Sequence, residues 1–194
     1  MARSKGWIAP VAILVIVVLI GVFWFVGQQN SLVTLEESVD ASWSEIDNQL
    51  QRRSDLIPNL VATVRGFAEQ EEEVFTQIAD ARARLAGAQG VGETAESYGE
   101  LQSALSRLLV VVENYPQLRS NENFIRLQDE LAGTENRIAV ARRRYNETVQ
   151  QFNTRIRRFP TRSVANMLGM QQREYFEIDE SAREVPTVDF GSDD

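Results

Sequence analysis

The chain has 194 residues, enough for one domain and a membrane anchor, and 28 acidic against 20 basic residues give it a net charge of −8. Because it has no basic surplus to neutralise phosphates, we do not expect nucleic acid as a partner. Because it has no Cys and no His, disulfides, thiolate nucleophiles, Ser-His-Asp triads and His-ligated metals are excluded.

Residues 7–26 (WIAPVAILVIVVLIGVFWFV) form an uncharged apolar run. As a helix, this run spans ~30 Å, the thickness of the hydrocarbon core. Trp7 and Trp24 lie at its ends, where aromatic belts occur. A cleaved signal peptide is the alternative, but the run is too long and no small-residue cleavage site follows it. We therefore predict an uncleaved transmembrane anchor in contact with membrane lipid.

The flanking charges predict the orientation of this anchor. Arg3 and Lys5 precede it, whereas Glu36 and Glu37 come before any base on the other side. By the positive-inside rule, residues 1–6 are cytoplasmic and the body of the chain is extracytoplasmic, or periplasmic in a bacterium with two membranes. We expect a single-pass protein of the bacterial inner (cytoplasmic) membrane.

A long amphipathic helix follows the anchor. Its apolar residues recur every three or four positions, which marks one buried face: Leu35, Val39, Trp43, Ile46, Leu50, Ile57, Leu60, Val64 and Phe67. Arg53 interrupts this stripe. Pro58 cannot donate to the carbonyl four residues back, so we expect a kink or break near Asp55. The pattern leaves open whether the membrane helix continues into this one.

Further helices follow after an exposed acidic turn at residues 69–73. A short stripe over 74–85 ends at the loop glycines Gly87, Gly90 and Gly92. A third helix covers roughly 94–114 and turns these residues inward: Tyr98, Leu101, Leu105, Leu108, Leu109 and Val112. Asn114-Tyr115-Pro116 ends it, because proline disfavours helix at the residue before it.

The last long helix covers 121–158, is capped by Asn121 or Ser120, and ends at Phe159-Pro160. Its stripe comprises Phe124, Leu127, Leu131, Ile138, Ala141, Tyr145, Phe152 and Ile156. A short helix at 163–170 and an extended segment at 173–178 follow. The extracytoplasmic domain thus covers 27–178, and 179–194 form a flexible tail.

These elements predict an all-α protein with an N-terminal transmembrane helix followed by an up-and-down antiparallel bundle of long helices. The alternative is a longer coiled-coil hairpin that completes its core by oligomerising.

Three segments resemble the signature of the LemA family of bacterial membrane-anchored proteins: WSEIDNQLQRRSDLIPNLVATVRGFAEQE, ENYPQLRSNENFIRLQDELAGTENRIAVARRRYN, and QQFNTRIRRFPTRSVANMLGM followed by EYFE. The resemblance implies a helical bundle behind a membrane helix and no established enzymatic activity. It also implies, for some members, a part in shaping or organising membrane compartments. The chain departs from the family at Gln29 and Gln70, where Tyr and His are expected.

The structural or interaction candidates are the marked residues of these segments: Trp43, Arg53, Asp55, Pro58, Asn59, Tyr115, Pro116, Arg142, Tyr145, Asn146, Phe159 and Pro160. We predict that Arg53 is buried and paired with a carboxylate, with Glu113, Glu130 and Glu135 as plausible partners. An anion or partner-peptide site is the alternative. Asp55, Pro58 and Asn59 form either a cap-and-kink device or a binding surface.

Two polar groups allow further alternatives. Asn146 and Asn153, near Arg142 on the last helix, are candidates for a polar ladder with Arg53. The cluster of Arg155, Arg157, Arg158 and Arg162 is either a solvated helix end near a C-terminal dipole or a contact for anionic lipid headgroups.

We expect a non-enzymatic, membrane-tethered scaffold or adaptor that self-associates or packs with another envelope protein. An extracytoplasmic sensor or ligand-binding module is the alternative and needs a polar pocket in the bundle. A hydrolase that uses carboxylates alone ranks last, because no spacing holds two acids face to face. We therefore predict no catalytic residue, no cofactor and no metal site.

Overall fold

The computed structural model describes residues 8–177. Within them the chain forms six helices and no strand, which confirms the predicted all-α bundle. The helices are α1 (Ile8–Arg65), α2 (Glu72–Gly87), α3 (Gly90–Glu113), α4 (Pro116–Arg119), α5 (Glu122–Arg157) and α6 (Thr161–Met167). The predictions for residues 1–6, for Trp7 at the start of the apolar run, and for residues 178–194 lie outside the described residues.

The chain divides into two compact units. Of the described residues, unit 1 contains 8–46 together with Ala141–Arg173, and unit 2 contains Asp47–Val140 together with 174–177. Both α1 and α5 therefore contribute residues to each unit.

Helix α1 joins the apolar run to the bundle without interruption. In the described part of the chain it is the one helix long and apolar enough to cross a membrane. Large apolar side chains between Val11 and Val26 are exposed, as expected for a segment whose surroundings are lipid. The break expected near Asp55 does not occur, since helical structure continues through Pro58 to Arg65.

In unit 1, α1 and α5 run antiparallel. Arg155 Nη2 donates to Gln28 Oε1 at 3.0 Å, and further along α1 the rings of Trp43 and Tyr145 lie 5.5 Å apart. The buried apolar residues of this unit include Leu32, Val39, Ile46, Ala141, Val149, Phe152, Ile156 and Val164. Of these, Val39, Ile46, Ala141, Phe152 and Ile156 belong to the predicted stripes. Leu32 and Val149 are buried although the stripes did not include them, and the predicted Leu35 is half-buried.

Unit 2 is built from the end of α1, from α2, α3 and α4, and from the beginning of α5. Its helices surround one apolar core that includes Ile57, Leu60, Val64, Phe75, Ile78, Leu101, Leu105, Leu108, Val112, Leu118, Phe124 and Leu131. Arg84 pairs with Glu100, and Arg107 donates to Gln77, so α2 and α3 run antiparallel.

The predicted glycine loop is shorter than expected. Gly90 and Gly92 belong to α3, and only residues 88–89 separate it from α2. Gly90 has φ +80°, a left-handed conformation that glycine adopts without a side-chain clash. The Glu93 carboxylate accepts the Gln89 backbone N–H at 2.8 Å, and this bond satisfies a donor at the helix start.

Two residues predicted to face inward are exposed. Phe67 is 41% exposed because α1 ends at Arg65, so the helical period no longer applies and Ala68 is buried instead. Leu109 is 43% exposed because the neighbouring Leu108 already fills the inward position. Both lie in unit 2.

The ends of α5 follow the prediction closely. The Phe124 backbone N–H donates to Asn121 Oδ1 at 3.1 Å, so Asn121 is the N-cap. Beyond α5, the short helix α6 begins two residues earlier than predicted. Residues 171–177 form neither helix nor strand, and Phe176 at their end is buried.

Candidate functional site

Arg53 forms an ion pair with Glu135. The stripe of α1 places Arg53 on its buried face, between Leu50 and Ile57, and the guanidinium Nη1 contacts Glu135 Oε2 on α5. The Arg53 side chain is 8% exposed and that of Glu135 is 34% exposed. The prediction of a buried, paired arginine is confirmed, and Glu135 is its partner among the three glutamates considered.

Helix α3 contributes two more donors to the same carboxylate. The Tyr98 hydroxyl donates to Glu135 Oε2, and Gln102 Nε2 lies 3.5 Å from Glu135 Oε1. Tyr98 and Gln102 are four residues apart and therefore share one face of α3. One carboxylate thus connects α1, α3 and α5, an arrangement that fixes the register of three helices. We call Arg53, Tyr98, Gln102 and Glu135 the register network.

The guanidinium of Arg53 also contacts an aromatic ring. Its Cζ lies 5.7 Å from the centroid of the Tyr98 ring, within the range of a cation–π interaction. Arg53 Nε is buried and has no hydrogen-bond partner among residues 8–177. The cation is therefore held by one carboxylate and one ring, and little of it faces solvent.

Pro58 creates a second fixed contact in unit 2. Since proline has no N–H, the Ser54 carbonyl four residues earlier loses its usual donor in α1. Arg82 on α2 supplies the donor instead, with Nε 3.1 Å from the Ser54 carbonyl oxygen and 3.1 Å from Ser54 Oγ. This contact explains how α1 continues through Pro58, and it connects α1 to α2.

Asp55 and Asn59 lie on the exposed side of α1 together with Pro58. Asp55 Oδ1 accepts from Gln51 Nε2 at 2.9 Å within the same helix. Asp55 is therefore not a helix cap, because the helix does not end there. That part of the cap-and-kink prediction is wrong.

Tyr115 and Pro116 connect two turns of unit 2. The Tyr115 hydroxyl accepts from Gln70 Nε2 at 3.0 Å and lies 3.4 Å from Glu71 Oε1. Pro116 is the first residue of α4, where proline is favoured. The turn after α1 and the connection after α3 therefore lie at the same end of this unit.

Unit 1 contains the remaining candidates on α5. Tyr145 is buried against Trp43, while Arg142 and Asn146 are half-buried. Asn153 Nδ2 donates to the Arg173 carbonyl and Asn153 Oδ1 accepts the Arg173 N–H, both at 2.9 Å. Because Asn153 binds this backbone and Arg53 binds Glu135, the predicted polar ladder is wrong for these two residues.

The residues Phe159 and Pro160 join α5 to α6 in unit 1. Phe159 is 87% exposed, and the four arginines that surround it in the sequence are exposed as well: Arg155, Arg157, Arg158 and Arg162. Arg155 contacts Gln28, as does Thr161, whose hydroxyl lies 3.3 Å from Gln28 Oε1.

Sequence reasoning missed three polar partners. Tyr98 fits the apolar stripe of α3 and was predicted only as a core residue. Gln102 and Arg82 carry no pattern that distinguishes them from exposed residues. The sequence does indicate that a partner such as Arg82 is needed. Pro58 leaves one carbonyl of α1 without a donor, and when that carbonyl is buried another helix has to supply the donor.

Known proteins similar to this chain cover most of its length. The profile of the LemA family matches residues 42–190. Magnetosome protein MamQ 2 of Paramagnetospirillum magneticum is 27% identical over 209 residues, covering 92% of this chain and 76% of that protein. Magnetosome protein MamQ of Magnetospirillum gryphiswaldense is 26% identical, covering 82% and 68%. Protein LemA of Metamycoplasma hominis is 26% identical, covering 88% and 80%.

Proposed function

The chain belongs to the LemA family, and from this membership and the contacts above we propose that it is a membrane-anchored, non-enzymatic scaffold or adaptor of the bacterial envelope. It self-associates through its helical bundle. The apolar run of α1 holds it in the inner membrane, with the N-terminus in the cytoplasm and the bundle outside.

The proposal rests on one observation: Arg53 and Asn153, two buried polar residues, bind other groups of the same chain. A sensor needs polar groups free to bind a ligand between its helices. The charge of Arg53 is instead taken up by Glu135, and the amide of Asn153 is bound to the Arg173 backbone. These polar groups thus hold helices and an extended segment together, which favours a scaffold over a ligand-binding module.

Exposed apolar residues support self-association. Phe67 follows α1, Leu109 and Val110 lie near the end of α3, and Ile125 lies in the first turn of α5. All four therefore flank the turns that Tyr115 connects. Phe67 and Leu109 belong to apolar stripes, yet the single chain leaves both exposed. Contact with a second chain would remove this apolar surface from water.

The names of the similar proteins support a role at a bacterial membrane. Two of them are named for the magnetosome, and the names of the matched family and relatives state no enzymatic activity. The LemA resemblance implies that some members organise membrane compartments. We extend that role to this chain.

The mass of the full chain in mild detergent tests the proposal. A self-associating scaffold gives a defined oligomer well above the 21.9 kDa of one chain. Val110→Glu should reduce that mass, because a charge would be buried in the contact. Gln151→Glu, at an exposed polar position of α5 in unit 1, is the matched control and should leave the mass unchanged. A strict monomer whose melting temperature depends on a small ligand would instead support a sensor.

A further inference from the structure

Positive charge is concentrated at one corner of unit 1. Between Glu147 and Glu174 the chain has no acidic residue, although it carries an overall charge of −8. The same stretch contains five arginines, of which Arg173 is paired with Glu36 and Asp40. The other four are exposed: Arg155, Arg157, Arg158 and Arg162.

Hydrogen bonds place this corner beside the end of the membrane span. Arg155 and Thr161 both contact the side chain of Gln28. Gln28 follows the last residue of the apolar run, Val26, by about 3 Å of helix rise. The headgroup layer on either side of the hydrocarbon core is about 5–7 Å thick. When α1 spans a membrane, Arg155 therefore lies at the depth of the lipid headgroups.

A solvated helix end does not explain the whole corner. The helix dipole of α5 favours Arg155 and Arg157 in its last turn. It does not account for Arg162, which lies beyond α5, or for Phe159, which is 87% exposed between the arginines. Arginines around an exposed aromatic ring are typical of surfaces that lie in the membrane interface.

We propose that this corner, formed by Arg155, Arg157, Arg158, Phe159 and Arg162, binds the phosphate groups of anionic phospholipids. Guanidinium groups donate to phosphate oxygens in a bidentate geometry, and Phe159 inserts at the boundary between headgroups and acyl chains. The corner holds the α5–α6 connection against the bilayer and gives the protein a preference for anionic lipid. The inference depends on α1 spanning the membrane and does not depend on self-association.

The full chain in lipid nanodiscs tests this inference. Because the chain has no Cys, Phe159→Cys can be labelled at that position alone with a polarity-sensitive fluorophore. The matched control is Ser44→Cys, an exposed position on α1 that lies about 27 Å beyond Val26 along the helix. Each labelled protein is studied in zwitterionic nanodiscs and in nanodiscs containing phosphatidylglycerol, with a quencher attached to the lipid.

We expect the lipid quencher to act on the label at residue 159 and not on the label at residue 44. Quenching should increase with phosphatidylglycerol, and each Arg→Gln change in the corner should lower the preference for anionic lipid about fivefold. Arg→Lys should retain most of that preference. Two results would overturn the inference. One is equal quenching of the labels at residues 159 and 44. The other is quenching at residue 159 that changes with the number of protein copies per nanodisc and not with the lipid composition.

Discussion

Arg82 Nε donates to the backbone carbonyl of Ser54, the carbonyl that Pro58 leaves without a donor in α1. A side chain of α2 thus replaces a main-chain bond of α1. Because the replacement comes from another helix, the continuity of α1 depends on the packing of unit 2.

Arg82→Met should therefore destabilise the bundle by about 1–3 kcal/mol, since it leaves a buried carbonyl without a donor. In a Pro58→Ala background the loss should be much smaller, because alanine restores the main-chain donor. Thermal unfolding in mild detergent, followed by circular dichroism, measures the coupling in this double-mutant cycle, which we expect to exceed about 1 kcal/mol.

Ser54→Ala is the control for that cycle, because it removes the hydroxyl contact with Arg82 and keeps the carbonyl contact. Its effect should not depend on residue 58. If the effects of Arg82→Met and Pro58→Ala simply add, Arg82 does not replace the missing donor.

The unequal burial of the ion pair predicts unequal effects of removing each partner. Glu135→Leu leaves the buried Arg53 unpaired and should cost about 3–5 kcal/mol. Arg53→Met leaves a carboxylate that is one-third exposed and still accepts from Tyr98, so it should cost about 1–2 kcal/mol. The unfolding free energy of the double variant Arg53→Met/Glu135→Leu should be close to that of Arg53→Met alone. Unfolding free energies that are equal, or ordered in reverse, would contradict the register network as described.

Asn153 holds an extended segment through two hydrogen bonds to the Arg173 backbone. Asn153→Leu should raise amide hydrogen exchange at Arg173 by roughly tenfold, because both bonds are lost. Gln151→Leu, an exposed position two residues earlier, is the control and should leave that exchange unchanged. Unchanged exchange in both variants would show that the segment is held by other contacts.

The N-cap of α5 allows a test in which the expected loss of stability is small but is assigned to one residue. Asn121→Ala should cost about 1 kcal/mol, since its side chain accepts the Phe124 N–H. Ser120→Ala should cost less, because the Ser120 hydroxyl donates to the Gln117 carbonyl and does not cap α5. The same unfolding measurement compares the two, and a larger loss at Ser120 would move the cap to that residue.

The helices and their buried faces could be predicted because apolar spacing reports directly on burial. The same spacing exposed Arg53 as an anomaly, and a buried cation requires a carboxylate. The choice of Glu135 could not be predicted, because it depends on how far α1 and α5 are shifted along each other. Periodicity within one helix contains no information on that shift.

The errors have physical causes too. The sequence of α1 alone predicts a kink or break near Asp55, and the donor that prevents the break belongs to α2. The apolar stripes predict Phe67 and Leu109 in the core, but the end of α1 and the neighbouring Leu108 leave them exposed. Their exposure in a single chain is the feature that the proposed self-association explains.

Crosslinking in native membranes tests that self-association most directly. Single-cysteine variants of the full chain at Val110 and at Gln151, an exposed position of α5 in unit 1, are treated with a short thiol crosslinker, and the products are separated by mass. We predict crosslinked dimers for Val110→Cys and few for Gln151→Cys, at expression levels low enough that random collisions in the membrane are rare. Only monomers from both variants, with thiols shown to be reactive, would contradict a self-associating scaffold.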